Sequence, residues 1–140
     1  MIALIRIAGL VNMNSKVEET LFRLRLRRKF SCVILKESPE TSGKIQKTRN
    51  FIAFGKIDEA TLTNLIKARA EKIGDSKAKV ENPEKIAKEV MGGKSFEELG
   101  IKPFFRLHPA RGGIKSKLHY PRGVLGDHKE NINKLIMKML

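Results

Sequence analysis

Cysteine is almost missing from this 140-residue chain, in which Cys32 stands alone. One thiol excludes an internal disulfide framework and fits a reducing compartment. It lies in the apolar run Cys32-Val33-Ile34-Leu35, so it reads as a buried strand thiol rather than a nucleophile. No run approaches the ~18 apolar residues of a membrane helix. Arg6 interrupts the first apolar stretch and a capped amphipathic helix follows it, so no signal peptide is read there. The expectation is a soluble, intracellular chain forming one compact domain with an appendage.

Carboxylates are missing from one stretch entirely. Lys102 to Gly126 (KPFFRLHPARGGIKSKLHYPRGVLG) has none, against six basic side chains: Lys102, Arg106, Arg111, Lys115, Lys117 and Arg122. Four glycines and three prolines break it up, so no long helix or strand fits. Such a segment is expected not to order itself and to seek a polyanion, with phosphate the obvious one. It reads as an RNA-binding arm.

The net charge of +14 is unevenly spread. Residues 1–56 carry 12 basic and 4 acidic side chains (+8), residues 57–101 carry 8 and 9 (−1), and residues 102–140 carry 9 and 2 (+7). That pattern implies a polyanion-facing side and a solvent-facing side. A membrane surface is the competing polyanion, but it requires a basic helix with an exposed apolar face, and the arm offers none.

In chain order, Ile2 to Ala8 reads as a buried strand ended by Gly9. Ser15 and Glu18 form a capping-box signal for a helix running to about Arg28, with Val17, Leu21 and Leu24 facing inward. Arg23, Arg25, Arg27, Arg28 and Lys29 crowd its far end. One or two cations would satisfy a helix dipole; five in seven residues point to phosphate contact. Ser31 to Lys36 is the second strand. Ser38 and Pro39 open a helix to Asn50 from which Lys44, Lys47 and Arg49 project, and where Gly43 would let a backbone come close. Phe51 to Gly55 is the third strand, apolar on both faces and therefore buried on both sides rather than a base-stacking platform. The order β-α-β-α-β argues for a ferredoxin-like α/β core.

Asp58 caps a helix through Arg69 that buries Leu62, Leu65 and Ile66. Glu71 to Glu81 reads as a loop, and Asn82-Pro83 opens a helix that stops at Gly92-Gly93. Ser95 and Glu98 form a second capping box for one short helical turn ending at Gly100. This near-neutral middle is where the arm is least expected to dock. A final helix begins at Asp127 and Glu130, packs Ile132, Leu135, Ile136 and Met139 inward, and anchors the far end of the arm. The parts are thus 1–70 (core), 71–101 (helical, near-neutral insertion), 102–126 (basic arm) and 127–140 (C-terminal helix).

Gly92-Gly93-Lys94-Ser95 is no phosphate loop, because position 88 is Lys where the signature needs glycine, and a helix precedes it. His108, His119 and His128 are spaced eleven and nine apart with no cysteine pair, which matches no usual metal-ligand pattern. In a basic arm, an imidazole bonds phosphate or stacks on a base instead; His128 can also be just a helix-start residue. No nucleophile–base pairing or paired-carboxylate motif argues for catalysis.

Phe105-Arg106-Leu107-His108-Pro109-Ala110-Arg111-Gly112-Gly113, then Val124-Leu125-Gly126-Asp127-His128 and a closing helix, resembles the archaeal form of the ribosomal protein L-thirty family (eukaryotic L-seven). The stretches IALIRIAGLVNMNSKVEETL and FIAFGKIDEATLTNLIKARA resemble the same family. The likeness covers nearly the whole chain apart from roughly residues 71 to 95. The chain departs from the family pattern at Ala110, where a second proline is common, and at Arg122-Gly123, where a glycine pair is common. The length resembles archaeal members, being much longer than the bacterial form and lacking the long basic leader of eukaryotic ones.

The resemblance implies a non-enzymatic, structural constituent of the large ribosomal subunit in the cytoplasm. Its partners would be large-subunit ribosomal RNA and neighbouring ribosomal proteins, with no cofactor, metal, membrane or small-molecule substrate. The candidate RNA-binding residues are Arg27, Arg28, Lys44, Lys47, Arg49, Arg106, His108, Arg111, Lys115, Lys117, His119 and Arg122. A free-standing RNA chaperone or regulator is the alternative, and an RNA-processing enzyme a third reading. An exposed aromatic platform would mark the first and nuclease turnover the second.

Overall fold

Side chains on a strand alternate between faces, and in the first strand both faces are apolar. Ala3 and Ile5 point one way and Leu4 the other, and all three are fully buried. Both faces of the sheet must therefore be covered. The computed structural model describes residues 1–9, 11–75 and 80–140. Its elements are β1 (Ile2–Arg6), α1 (Ser15–Arg23), β2 (Ser31–Leu35), α2 (Pro39–Thr48), β3 (Ile52–Lys56), α3 (Glu59–Arg69), α4 (Pro83–Met91), β4 (Phe105–Arg106), β5 (Gly126–Asp127), a 3-10 turn (Lys129–Asn131) and α5 (Ile132–Met139).

The sheet order is β4-β2-β1-β3-β5. β1 is antiparallel to both β2 and β3, so β2 and β3 run parallel on either side of it. This is the split β-α-β arrangement expected of a ferredoxin-like core. One face is closed by α1 and α2, which bring Leu21, Leu24 and Ile45 onto Leu4, Val33 and Ile52. The other is closed by α3, α4 and α5. There Leu62, Leu65, Ile66, Val90, Ile132, Ile136 and Met139 cover Ala3, Ile5, Cys32, Ile34 and Ala53. Gly55 lets the last layer close, because a Cβ there would collide with the Lys129 carbonyl and the Ile132 side chain.

Several boundaries differ from the sequence reading. α1 ends at Arg23 rather than near Arg28, and Asn14 caps it, its side chain accepting the Lys16 amide at 3.0 Å. The helix stops early because Leu26 is pulled fully into the core, with Arg25 adopting a left-handed φ of 61° to turn the chain. The basic cluster therefore sits on a loop, not on a helix end. After α4, only half of the expected Ser95–Glu98 capping box forms, because the Ser95 hydroxyl takes the Glu97 amide instead of that of Glu98. The Glu97 amide donates to Ser95 Oγ and the Ser95 amide to Glu98 Oε2, both at 3.3 Å. They close a turn, not a helix. Of the loop expected over residues 71–81, positions 76–79 lie outside the described residues.

The larger correction concerns residues 102–126. They are far less bare than glycine, proline and charge suggest. Phe105 is fully buried, and Leu107, Ala110 and Leu125 join the same core. The segment supplies an edge strand at each side of the sheet. β4 pairs with β2 (Ser31 opposite Arg106, Cys32 opposite Phe105) and β5 pairs with β3 (Ala53 opposite Gly126). It also docks on the middle of the chain. The Phe105 ring meets Phe96 edge-on with centroids 5.4 Å apart, and Lys102 pairs with Glu71 at 2.8 Å. Phe105, Leu107 and Leu125, each contributing roughly 1.5–3 kcal/mol on burial, and the smaller Ala110 offset the disorder that the composition favours.

The last residue of β1 is an arginine that is 1% exposed. Arg6 is surrounded by main-chain oxygens rather than by a carboxylate. Its Nη1 donates to the carbonyls of Leu26 (2.7 Å) and Arg27 (2.9 Å), its Nε to Ala8 (3.2 Å) and its Nη2 to Gly9 (3.4 Å). Burial lowers its pKa from the usual value, and the charge of Glu18 opposes that shift. Replacing Arg6 with Met strands those carbonyls, so we expect a stability loss of at least about 3 kcal/mol in urea unfolding. Cys32 makes a second expectation. Burial pushes its thiol from 9.0 up to about 12. Because the folded value exceeds the unfolded one, the stabilisation of the neutral thiol is complete below pH 9 and lost as pH climbs towards 12. At pH 8 a thiol-reactive dye should label the native protein at the rate of global unfolding, and the urea-unfolded chain at once.

Candidate nucleic-acid interface

The strand directions decide where the basic residues meet. β1 ends, and β2 and β3 begin, at one end of the sheet. Arg106 lies opposite Ser31, so the chain leaves β4 at that same end. Gly126 lies opposite Ala53, so it enters β5 there as well. Residues 107–125 therefore span one end of the sheet from edge to edge. The loop carrying Arg27 and Arg28 leads into β2 at this end, and Arg49 leads into β3. Three segments far apart in sequence are thus gathered by topology.

The gathering is visible in side-chain contacts. Arg25, Arg27, Arg28, Phe104 and Arg106 line one cleft. Arg27 stacks its guanidinium 4.0 Å over the ring of Phe22, and Arg106 lies 5.9 Å over that of Phe104. Arg25 is paired with Glu97. Among the described residues, Arg27, Arg28 and Arg106 form no ion pair. Their placement depends on Arg6, which grips the carbonyls of Leu26 and Arg27.

At the far side of this end, His119 Nε2 lies 2.9 Å from Asn50 Oδ1, which brings the arm against the residue after Arg49. Gly126 makes this possible, since a Cβ there would come within 2.6 Å of His119 Nδ1. Arg111, Lys115 and Arg122 line a second hollow with Tyr120, Lys134 and Lys138 over α5. α5 holds the arm in place by main-chain bonds. The His108 amide donates to the Met139 carbonyl at 2.9 Å, and the Arg111 amide to that of Lys138 at 3.0 Å. Asn131 also donates to the Tyr120 hydroxyl at 2.8 Å. The expectation that the last helix anchors the arm is met, along more of its length than its far end.

The remaining candidates fall out differently. The side chains of His108, Lys47 and Lys117 are exposed. Lys44 is half-buried and turned to Glu40, whose carboxyl its hydrogen bond and charge hold below the usual range. It lines another groove with Lys36 and Lys94, which the arm reaches only at Pro103. His128 is buried, 2.6 Å from the Val124 carbonyl and stacked against Tyr120 with centroids 4.5 Å apart. It serves the packing of the arm. Gly112 and Gly113 have open space above their Cα atoms, whereas at Gly123 the arm's own Leu118 backbone occupies it.

Arg6, Phe104, Lys134 and Lys138 were not among the sequence candidates. A lone charge inside an apolar strand is a signal for a buried, satisfied group. Lys134 and Lys138 repeat at i and i+4 on α5, and Phe104 immediately precedes the edge strand that carries Arg106. No group of His, Cys, Asp or Glu that could hold a metal occurs among the described residues. None of their helices is long and apolar enough to cross a membrane.

The family model described as Ribosomal protein L30p/L7e matches residues 2–52. The large ribosomal subunit protein uL30 of Archaeoglobus fulgidus is 40% identical, the match covering 99% of each chain. The protein of the same name from Pyrobaculum aerophilum is 35% identical over 99% of this chain and 93% of its own, and that from Methanoregula boonei 33% over 99% of each.

The arm's main-chain bonds make its order uneven. In amide exchange on the free protein, we expect the amides of Leu107, His108 and Leu125, which donate to Phe30, Met139 and Leu118, to be protected. Those of Lys115 and Lys117, in the glycine- and charge-rich bend, should exchange at least about tenfold faster. Uniformly fast exchange over 107–125 would show that the arm is not tied down at all.

Proposed function

The chain belongs to the ribosomal protein L30p/L7e family, and from that premise we propose that it is a structural, non-catalytic constituent of the large ribosomal subunit, in the cytoplasm, where it binds large-subunit ribosomal RNA. One observation carries the RNA-binding part. The fold collects the 27–28 loop, Arg49 and both ends of the arm at a single end of the sheet, with the arginines of the cleft largely uncompensated. Like charges held together without counter-charges are unfavourable unless a polyanion neutralises them.

Arg27, Arg28, Arg106, Arg111, Lys115, Lys117 and Arg122 are the proposed phosphate contacts, with His108 and His119 as hydrogen-bonding or stacking groups beside them. Lys47 and Arg49 extend the surface along the end of α2. Lys44 contributes only long-range charge, because Glu40 already holds it. The open Gly112-Gly113 bend would let backbone approach RNA closely, while arginines bridge strands in the manner of shape-led recognition. We assign the core to residues 1–70, RNA contact to 102–126 and anchorage of the arm to 127–140, with the near-neutral 71–101 as an insertion that packs against the start of the arm. Neighbouring ribosomal proteins are the other partners. An RNA chaperone using an aromatic sheet surface is not favoured, since helices cover both sheet faces.

The test compares two triple variants at one salt concentration. Arg106, Arg111 and Arg122 to Ala should weaken binding to ribosomal RNA by at least about tenfold. Replacing Lys67, Lys85 and Lys88, exposed on α3 and α4, removes equal charge from the other side and should cost no more than about twofold, because screening sets in beyond ~8–10 Å. Thermal stability should stay nearly unchanged in both, as exposed substitutions usually move it by less than about 0.5 kcal/mol. Equal losses of affinity would refute a localised interface.

A further inference from the structure

Resting on the RNA-binding reading above, we propose that the cleft formed by Arg25, Arg27, Arg28, Phe104 and Arg106 receives one unpaired nucleotide of the RNA. Its base would stack between Phe104 and the arginine planes, and its phosphate would lie among the guanidinium groups.

A surface that only neutralises a duplex backbone needs exposed cations at phosphate spacing; it needs neither a recess nor an aromatic floor. This cleft has both. Phe104 immediately precedes β4 and packs on the α1–α2 layer, with Arg106 lying 5.9 Å over its ring, while Phe105 between them is buried in the core of the other sheet face. Phe104 is half-buried against the α1–α2 layer, which leaves part of the ring facing the cleft. Arg27 already stacks on Phe22, a large aromatic that stays 55% exposed. A guanidinium stacked on one face still offers its other face to a base, and every base has a π-face to give. The arrangement is also held ready. Arg6 fixes the Leu26 and Arg27 carbonyls, the Leu107 amide donates to Phe30, and the Ser31 amide donates to Arg28. The backbone that carries these groups is therefore ordered on folding, not on binding.

An extruded nucleotide is the ligand class that uses all of these features. A bare phosphate would leave Phe104 without a role, and an apolar peptide would leave three cations unneutralised. Since Watson–Crick edges of a stacked base would point outward, the cleft selects for an unpaired base without selecting which one.

The experiment uses the full chain and two synthetic RNA hairpins that differ at one bulged position, adenosine in one and an abasic nucleotide in the other. Charge and flexibility of the backbone are matched, so the affinity ratio reads the base alone. We expect the adenosine hairpin to bind about tenfold tighter. Phe104→Leu should bring that ratio close to one. Arg27→Lys, an exposed position that keeps its charge, should shrink the ratio similarly, and it decides the matter if the Phe104 variant folds poorly. A ratio near one in the parent protein, or variants that weaken both hairpins equally, would overturn the nucleotide site. Those outcomes leave the phosphate-led interface standing, because that reading predicts tight, salt-sensitive binding of the abasic hairpin as well. Loss of salt-sensitive binding to both hairpins would instead remove the interface itself.

Discussion

A single buried guanidinium holds the organisation of this fold together. Arg6 closes β1 and draws the carbonyls of Ala8, Gly9, Leu26 and Arg27 around itself. Five fixed donors, with no acidic partner to satisfy first, can draw several strands of irregular backbone together at once. Those carbonyls lie in loops that carry no ladder hydrogen bonds of their own, so the arginine substitutes for secondary structure there. Its grip on residues 26–27, together with the burial of Leu26, sets the path of the arginine-bearing loop after the turn at Arg25. Stability and the shape of the basic end are therefore coupled through one side chain.

The second constraint is the sheet's need for edges. A three-stranded core covered on both faces still exposes β2 and β3 at its margins. Residues 102–127 meet that need from both sides by supplying β4 and β5. Because β4 is antiparallel to β2 and β5 parallel to β3, the connection between them must cross the end where β1 terminates. The same stretch that blunts the edges is thus delivered to the one end of the sheet where the basic loops already lie. Its apolar residues, Phe105, Leu107, Ala110 and Leu125, hold it there, and its charged residues stay in solvent.

Charge follows the same division. The near-neutral segment is not idle: Glu97 pairs with Arg25, Glu71 with Lys102, and Phe96 packs on Phe105. It steadies the rim of the arginine cleft without neutralising Arg27, Arg28 or Arg106. α5 does the corresponding work on the other side, accepting main-chain bonds from His108 and Arg111 while Lys134 and Lys138 add charge.

Much of this was legible in the residues themselves. Apolar runs marked the three core strands, apolar periodicity marked α1, α3 and α5, and capping residues with prolines marked the starts of α2 and α4. The excess of cations at both ends of the chain, with a neutral middle, already called for a polyanion. What lay beyond the sequence were the features that depend on long-range partners. Arg6 looked like an interruption of a strand until two neighbouring and two distant carbonyls surrounded it. Arg27 and Arg28 looked helical because local propensity cannot register the pull of Leu26 into a core built by other elements. The arm looked disordered by composition, since composition averages over position and cannot weigh four apolar side chains that each find a prepared site. Sequence alone determined the charge, the core pattern and the family. Only the tertiary structure decided that the arm closes both sheet edges, and so which basic residues face one another, because strand direction, not sequence distance, sets where a connection must cross.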